Sequence, residues 1–389
     1  MMKKIIVLLL CSLVFIPVIR ADESGISVKS ESGIIMEAST GKVLFEKEAD
    51  TPKAPASMTK IMTMLLIMEA IDDGRLSMDD QVNISKNASG MGGSQAYLEE
   101  NTTSKVSTLL TAIAIGSAND ASVAMAEKIG GTEENFVNMM NKRAKELGAE
   151  NTTFKNPHGL DEEGHLTTAR DLAIIARELI TKHEEILKLT STYETTITHA
   201  NGKSLWLVNT NKLIKFYNGL DGLKTGFTGN AGYCLTGSMK RNDMRLITVT
   251  MKAPTKEDRN TDTINMMEYA YSMFYKDTIL KSDKKLGTMF VDNSKKRKVN
   301  YYLEKDATVV VPKDVRNIDY KYTIDLTSNK APLKKGDKVG TLKLSVNNEE
   351  ISYNVIVNES VLKSNFFNRI LNYFKDILNG NLNIFPPKD

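Results

Sequence analysis

Ser57-Met58-Thr59-Lys60-Ile61-Met62-Thr63-Met64-Leu65-Leu66-Ile67-Met68 is the stretch on which the reading of this 389-residue chain turns. An extended segment ends here and a helical pattern begins, with Ile61, Leu65, Met68 and Ile71 at spacings of four and three. The run is apolar on most sides, so a central, buried helix is expected, ending at Asp72-Asp73-Gly74. At about 3.6 residues per turn, positions three apart share a face, which sets the amine of Lys60 beside the hydroxyl of Ser57. That pair is a nucleophile with a base. Taken alone, Ser-x-x-Lys is equally a capped helix start followed by a solvated lysine, and only further residues can separate the two.

Outward from this helix the pattern is mixed. Ile34-Ile35-Met36 and Val43-Leu44-Phe45 flank Ser39-Thr40-Gly41-Lys42 as a β-hairpin. A second helical region covers residues 107–115, breaks at Gly116-Ser117 and resumes over 121–129, which leaves Ser117 and Asn119 at a junction able to face a cleft. Residues 133–147 and 168–180 read as amphipathic helices. The period then returns to two at 205–208, 223–228, 231–238 and 245–251, with a closing helix over 262–274. Strands at both ends of a helical block imply an α+β fold: one antiparallel sheet built from the two termini of a domain and flanked by helices.

The length favours two domains. Residues 24–276 form the first in this reading. Residues 277–358 form a small all-β domain, with strands expected at 309–311, 320–324, 341–346 and 351–357 after a charged, turn-rich stretch at 281–298. Residues 1–21 carry Lys3 and Lys4, an apolar run to Ile19 and then Arg20-Ala21, the pattern of a secretory signal peptide; about fifteen apolar residues interrupted by Pro17 are short for a membrane span. Residues 361–379 place Leu362, Phe366, Ile370, Phe374 and Ile377 on one face. An amphipathic helix lying on a membrane surface is expected, the alternative being a helix packed on the β domain. Composition is ordinary for a globular protein, at 41% hydrophobic and 25% charged, and a formal charge of +3 gives no reason to expect nucleic acid. With Cys11 in the signal segment, Cys234 is left without a disulfide partner and reads as a buried strand thiol.

Two further motifs join the first: Ser117-Ala118-Asn119 and Lys224-Thr225-Gly226. In this order the three match the signature of penicillin-binding proteins and class A β-lactamases. The chain resembles the serine-type D-alanyl-D-alanine carboxypeptidases of the low-molecular-mass penicillin-binding family, over about residues 34–275. Asn156-Pro157-His158-Gly159-Leu160, Thr168-Ala169-Arg170-Asp171 and Asp221-Gly222 are similar to further segments of that family. The resemblance implies a β-lactamase/transpeptidase-like domain, a membrane-anchoring terminal helix, residence at the outer face of a bacterial cytoplasmic membrane, peptidoglycan stem peptides as substrate, and β-lactams as inhibitors. It implies catalysis by Ser57, Lys60 and Ser117, the last bridging Lys60 and the departing amine. Asn119 orients the substrate amide in that scheme, or else caps a helix. Lys224 and Thr225 hold the terminal carboxylate, Gly226 allows close backbone approach, and the N–H groups of Ser57 and Phe227 form the oxyanion hole. Arg259, placed just before the closing helix, is the candidate for a second carboxylate contact, or else a solvated arginine.

For Lys60 to act as a base its pKa must be depressed, by burial and by a nearby cation such as Lys224. Two other readings compete. A β-lactamase needs a placed glutamate for deacylation, and Glu184-Glu185-Ile186-Leu187-Lys188 misses the class A pattern at two positions. A non-catalytic penicillin-sensing or wall-binding module could keep the pocket without the whole proton path. No cofactor or catalytic metal is expected: His158, His165, His183 and His199 make no His-Glu-x-x-His arrangement, and His158 is assigned to structuring a loop.

Overall fold

The computed structural model describes residues 25–346 and 349–365. The expected signal peptide, and residues 366–379 of the expected amphipathic helix, lie outside them. Residues 361–365 are not helical: Val361 pairs with Leu333 and Lys363 with Ser294 as isolated bridges, because this stretch closes over the second unit. Among the described residues no helix is long and apolar enough to cross a membrane.

The first unit is built on one antiparallel sheet, in the order Val43–Lys47, Ser32–Glu37, Met244–Ala253, Gly232–Arg241, Leu220–Thr228. Strands from the beginning and end of the unit meet where Ile35 faces Thr248, as the expected assembly from two termini requires. The helix Lys60–Asp72 is enclosed on all sides, with Ile61, Met64, Leu65 and Ile67 fully buried. A helix in this position cannot be amphipathic, which is why its apolar residues ran round the whole circumference in the sequence. The closing helix begins earlier than expected, at Lys256 rather than 262. Thr255 caps it by accepting from the Asp258 N–H at 3.0 Å, so Arg259 stands inside its first turn. Residues 205–208 lie in a strand, but it joins a separate hairpin with the unexpected strand Glu194–Thr198 rather than the main sheet.

The second unit starts at Phe274, where the closing helix passes directly into the strand Phe274–Leu280; that strand pairs with Ala307–Pro312. The boundary expected at 276/277 therefore falls within a strand. A five-stranded sheet follows, in the order Gly287–Phe290, Lys298–Leu303, Glu349–Val357, Lys338–Val346, Tyr320–Leu326, around a core that includes Val299, Leu342, Leu344 and Val355. The first two of these strands lie at or beside the stretch expected to be turn-rich: Gly287–Phe290 is four residues long and buries only Met289, and Lys298 opens the next strand on an exposed position.

Candidate active site

Ser57 sits in a single 3-10 turn, Ala56–Thr59, immediately before the helix that Lys60 begins. In a 3-10 turn residues i and i+3 eclipse, so the turn aligns Ser57 with Lys60 more closely than an α-helix would. The Lys60 amine donates to Ser57 Oγ at 3.1 Å, to Asn119 Oδ1 at 2.7 Å and to the His158 carbonyl at 2.6 Å. The last two partners are acceptors only. They hold two amine protons, so in a neutral amine the remaining lone pair faces the serine hydroxyl. Lys60 is fully buried, and its pKa is held well below the ordinary lysine value, first by burial and then by the Lys224 cation, with Asp120 opposing.

Asn119 does not cap its helix. It is the first residue of Asn119–Gly130, and its amide is spent on Lys60 and, through Nδ2, on the Gly92 carbonyl at 2.7 Å. The preceding helix ends in a π-type turn, Ala112–Gly116, and Ser117 follows in the left-handed region at φ 61°, ψ 32°. A non-glycine residue there is strained and persists only where its surroundings over-determine it. Ser117 is 3% exposed at this junction, two residues from the amide that holds Lys60.

The loop 156–160 forms the floor. The Asn156 side chain accepts from the Gly159 N–H at 2.7 Å, and Thr63 Oγ1 donates to the Pro157 carbonyl at 2.6 Å. Gly159 adopts φ +89°, and a Cβ there would meet the Ala56 carbonyl oxygen at 1.9 Å. Only glycine permits this closeness, which sets the His158 carbonyl against Lys60. Sequence reasoning gave His158 a loop-building part and missed that its backbone oxygen is a ligand of the base; a backbone contact leaves no mark on side-chain identity. The His158 imidazole itself is pushed down to about 3, chiefly by burial and next by Lys60, and His165 to about 4, chiefly by burial.

Opposite the turn, Lys224-Thr225-Gly226 lies on the edge strand of the main sheet, in register with Thr236, Leu235 and Cys234. A Cβ at Gly226 would be 2.8 Å from the Pro55 carbonyl oxygen and 3.1 Å from Ala56 Cβ. The missing side chain is what lets the strand lie against the Ser57 turn. Lys224 is 1% exposed; its amine reaches the Thr225 carbonyl at 3.2 Å and Thr210 Oγ1 at 3.4 Å, while Thr225 Oγ1 donates to Thr210 Oγ1 at 2.8 Å. Thr210 was not anticipated, because it belongs to a short irregular link with no periodicity. Burial and then the Arg259 cation push Lys224 down to about 7.

Arg259 is 3% exposed rather than solvated, with its guanidinium on Asn260 Oδ1 at 2.8 and 3.1 Å. Lys224 and Arg259 together make a buried cationic pair suited to a carboxylate. Phe227 closes the strand, 58% exposed and packed on Tyr233 at 4.5 Å between ring centroids. Glu184, by contrast, is exposed and ion-paired to Arg245 at 3.7 Å, and Glu185 is also exposed, so neither has the burial that would hold a deacylating water. Cys234 is buried, and its thiol is pushed up to about 11 by that burial, as a structural strand thiol would be.

Residues 19–255 match the family model described as D-alanyl-D-alanine carboxypeptidase. The chain belongs to that family. Residues 274–363 match the model of the penicillin-binding protein 5 C-terminal domain, consistent with a second unit starting at Phe274. Among curated relatives, D-alanyl-D-alanine carboxypeptidase DacF of Bacillus subtilis is 45% identical over 345 residues, covering 88% of each chain. Penicillin binding protein 5 from Haemophilus influenzae has a TM-score of 0.70 at 30% identity, covering 87% of this chain and 99% of that one. Penicillin-Binding Protein D2 from Listeria monocytogenes, solved in its ampicillin bound form, has a TM-score of 0.57 at 34% identity over 63% of this chain and 98% of its own. In this member of the carboxypeptidase family, Asn119 of the second motif reaches Lys60 of the first, and Gly226 of the third lies against the turn that carries Ser57.

Proposed function

We propose that this protein is a serine-type D-alanyl-D-alanine carboxypeptidase that removes the terminal D-alanine from peptidoglycan stem peptides and is acylated by β-lactams. The observation that carries the reading is the Lys60 amine, fully buried and 3.1 Å from Ser57 Oγ, with two acceptors orienting it. Ser57 attacks the carbonyl between the two D-alanines, and its proton passes to the neutral Lys60. The oxyanion faces the N–H groups of Ser57 and Phe227. The proton then reaches the leaving amine through Ser117, and the C–N bond breaks to release D-alanine. Water hydrolyses the acyl-enzyme and restores Ser57. Lys224, Thr225 and Arg259 bind the terminal carboxylate, and Asn119 steadies both Lys60 and the substrate amide.

The ampicillin-bound relative supports the same serine being trapped by a β-lactam. Exposed Glu184 and Glu185 favour a slow release of that adduct over β-lactamase turnover. The signal-like segment 1–21 supports export, and the amphipathic pattern of 361–379 supports attachment at the outer face of the membrane. The helix-to-strand joint at Phe274 and the family match over residues 274–363 support a catalytic unit that ends at Met273 and a β unit that follows it.

The deciding experiment incubates the protein with a stem pentapeptide ending in D-Ala-D-Ala and measures free D-alanine, with penicillin adduct mass as a second readout. Both signals are expected from the native chain and neither from Ser57→Ala. D-Alanine release surviving in Ser57→Ala, or rapid appearance of hydrolysed penicillin, would replace this reading.

A further inference from the structure

At the far end of the nucleophile helix from Lys60, three helix ends bring Asp72, His183 and Glu185 together. Asp72 is the last residue of Lys60–Asp72, His183 caps Ala169–Lys182, and Glu185 precedes Ile186–Thr190. One ligand atom from each lies within 4.8 Å of the others. His183 is 5% exposed, while Asp72 and Glu185 stand at the surface. The geometry between the imidazole and the aspartate is informative. His183 Nδ1 and Asp72 Oδ2 are 2.9 Å apart, yet Nδ1 is buried without a hydrogen-bond partner, so the two atoms are close but not aimed at each other. Two ligands of a shared ion have that relation: each is directed at a third point about 2.0–2.2 Å away, which leaves them roughly 3 Å apart.

We propose that Asp72, His183 and Glu185 form a structural site for a divalent cation of the zinc type. An imidazole nitrogen with two carboxylates is a donor set that such an ion accepts, leaving a position for water. Two of the three helices present their carbonyl ends here, and the partial negative charge of those ends favours a cation. The site is not catalytic, since twelve residues of helix, roughly 18 Å, separate Asp72 from Lys60. Its effect is mechanical. The Ile186–Thr190 helix is fastened to the Lys224 strand by Thr190 Oγ1, which donates to the Asp221 carbonyl at 2.8 Å. A bound ion would therefore tie the base of the nucleophile helix to the support of the carboxylate-binding strand.

The test is calorimetric titration of the full chain, stripped with a chelator, against zinc chloride and in parallel against magnesium chloride. One zinc per chain with micromolar affinity, little or no magnesium binding, and a rise in Tm on adding zinc are expected. His183→Gln should weaken zinc binding at least about tenfold, since losing even an outer-shell partner of a ligand costs about 10–100-fold. Glu185→Gln changes an exposed side chain, keeps the fold, and should weaken binding several-fold. The absence of saturable zinc binding, or the same isotherm in Glu185→Gln as in the native chain, would overturn the assignment.

Discussion

In residues 25–273 the enclosed side chains include Lys60, Lys224, Arg259, Glu37 and Asp262, whereas among the described residues from 274 onward the buried polar groups are the hydroxyls of Ser294, Thr308, Tyr353 and Ser364, set among aliphatic neighbours. Burying a charge without compensation costs far more than burying a methyl group. The first unit therefore spends structure on compensation: Asp262 accepts from the Ser30 N–H at 2.7 Å, and Glu37 from the Thr40 N–H at 2.8 Å. For Lys60 and Lys224 the compensation is incomplete, and the strain appears as depressed pKa values. Among the described residues the second unit buries no charged side chain; its enclosed polar groups are neutral and paired, as where Tyr353 Oη donates to the Thr308 carbonyl at 2.7 Å and Ser294 Oγ to the Val291 carbonyl at 2.6 Å. Ionisable residues in a core mark where stability has been traded for chemistry, and an aliphatic core marks where it has not.

The sharpest way to break this contrast is Lys60→Met, which keeps volume and removes the amine. D-Alanine release should fall by about 10³-fold or more, as when a member of a catalytic unit is lost. Tm, followed by circular dichroism, should hold or rise, because a buried cationic group is replaced by an apolar one. A fall in Tm with activity retained would show that Lys60 is a structural residue.

Acid should act on the first unit through its histidines. Burial pushes the His158 and His165 imidazoles down to about 3 and about 4 in the folded chain, below the ordinary histidine value of about 6.5. Between those limits the unfolded chain binds more protons, so stability is fully present above pH 6.5 and is withdrawn as pH falls toward 3 to 4. Tm measured from pH 7.5 to 4 should decline, and His165→Gln should flatten the decline. An unchanged slope in that variant would leave the acid sensitivity to other groups.

The smallest effect on chemistry is expected from Leu342→Ala in the fully buried core of the second unit. It should cost about 2–5 kcal/mol of that unit's stability in denaturant titration. At 20 °C D-alanine release should be unchanged within error. A matching loss of turnover would mean that the two cores are not separable in function.

Much of the site was legible because it is written in side chains. Ser57, Lys60, Asn119 and Lys224 are recognisable by type and spacing, and the enclosed helix after Ser57 follows from its unbroken apolar run. What was not legible works through the backbone: the His158 carbonyl, the π-type turn that delivers Ser117, and the Gly159 approach to Ala56. Arg259 is a different case. Thr255-Lys256-Glu257-Asp258 is a capping signal that places the helix start before it, yet the charged run beside it suggested solvent. The strands Gly287–Phe290 and Lys298–Leu303 were hidden because they are short and lie in or at the edge of a charged stretch, Lys281 to Lys298, whose composition is that of turns.

The closing helix runs to Met273 and the next strand starts at Phe274, with no residue between them. A hinge needs slack, and this joint has none. Lys313 binds across it, its N–H to the Met273 carbonyl at 2.8 Å and its amine to the Tyr271 carbonyl at 2.9 Å. A torque applied to the second unit is therefore carried along roughly 21 Å of helix axis to the turn that holds Arg259. Whatever fixes the β unit in space therefore also fixes the axis of the helix that carries Arg259.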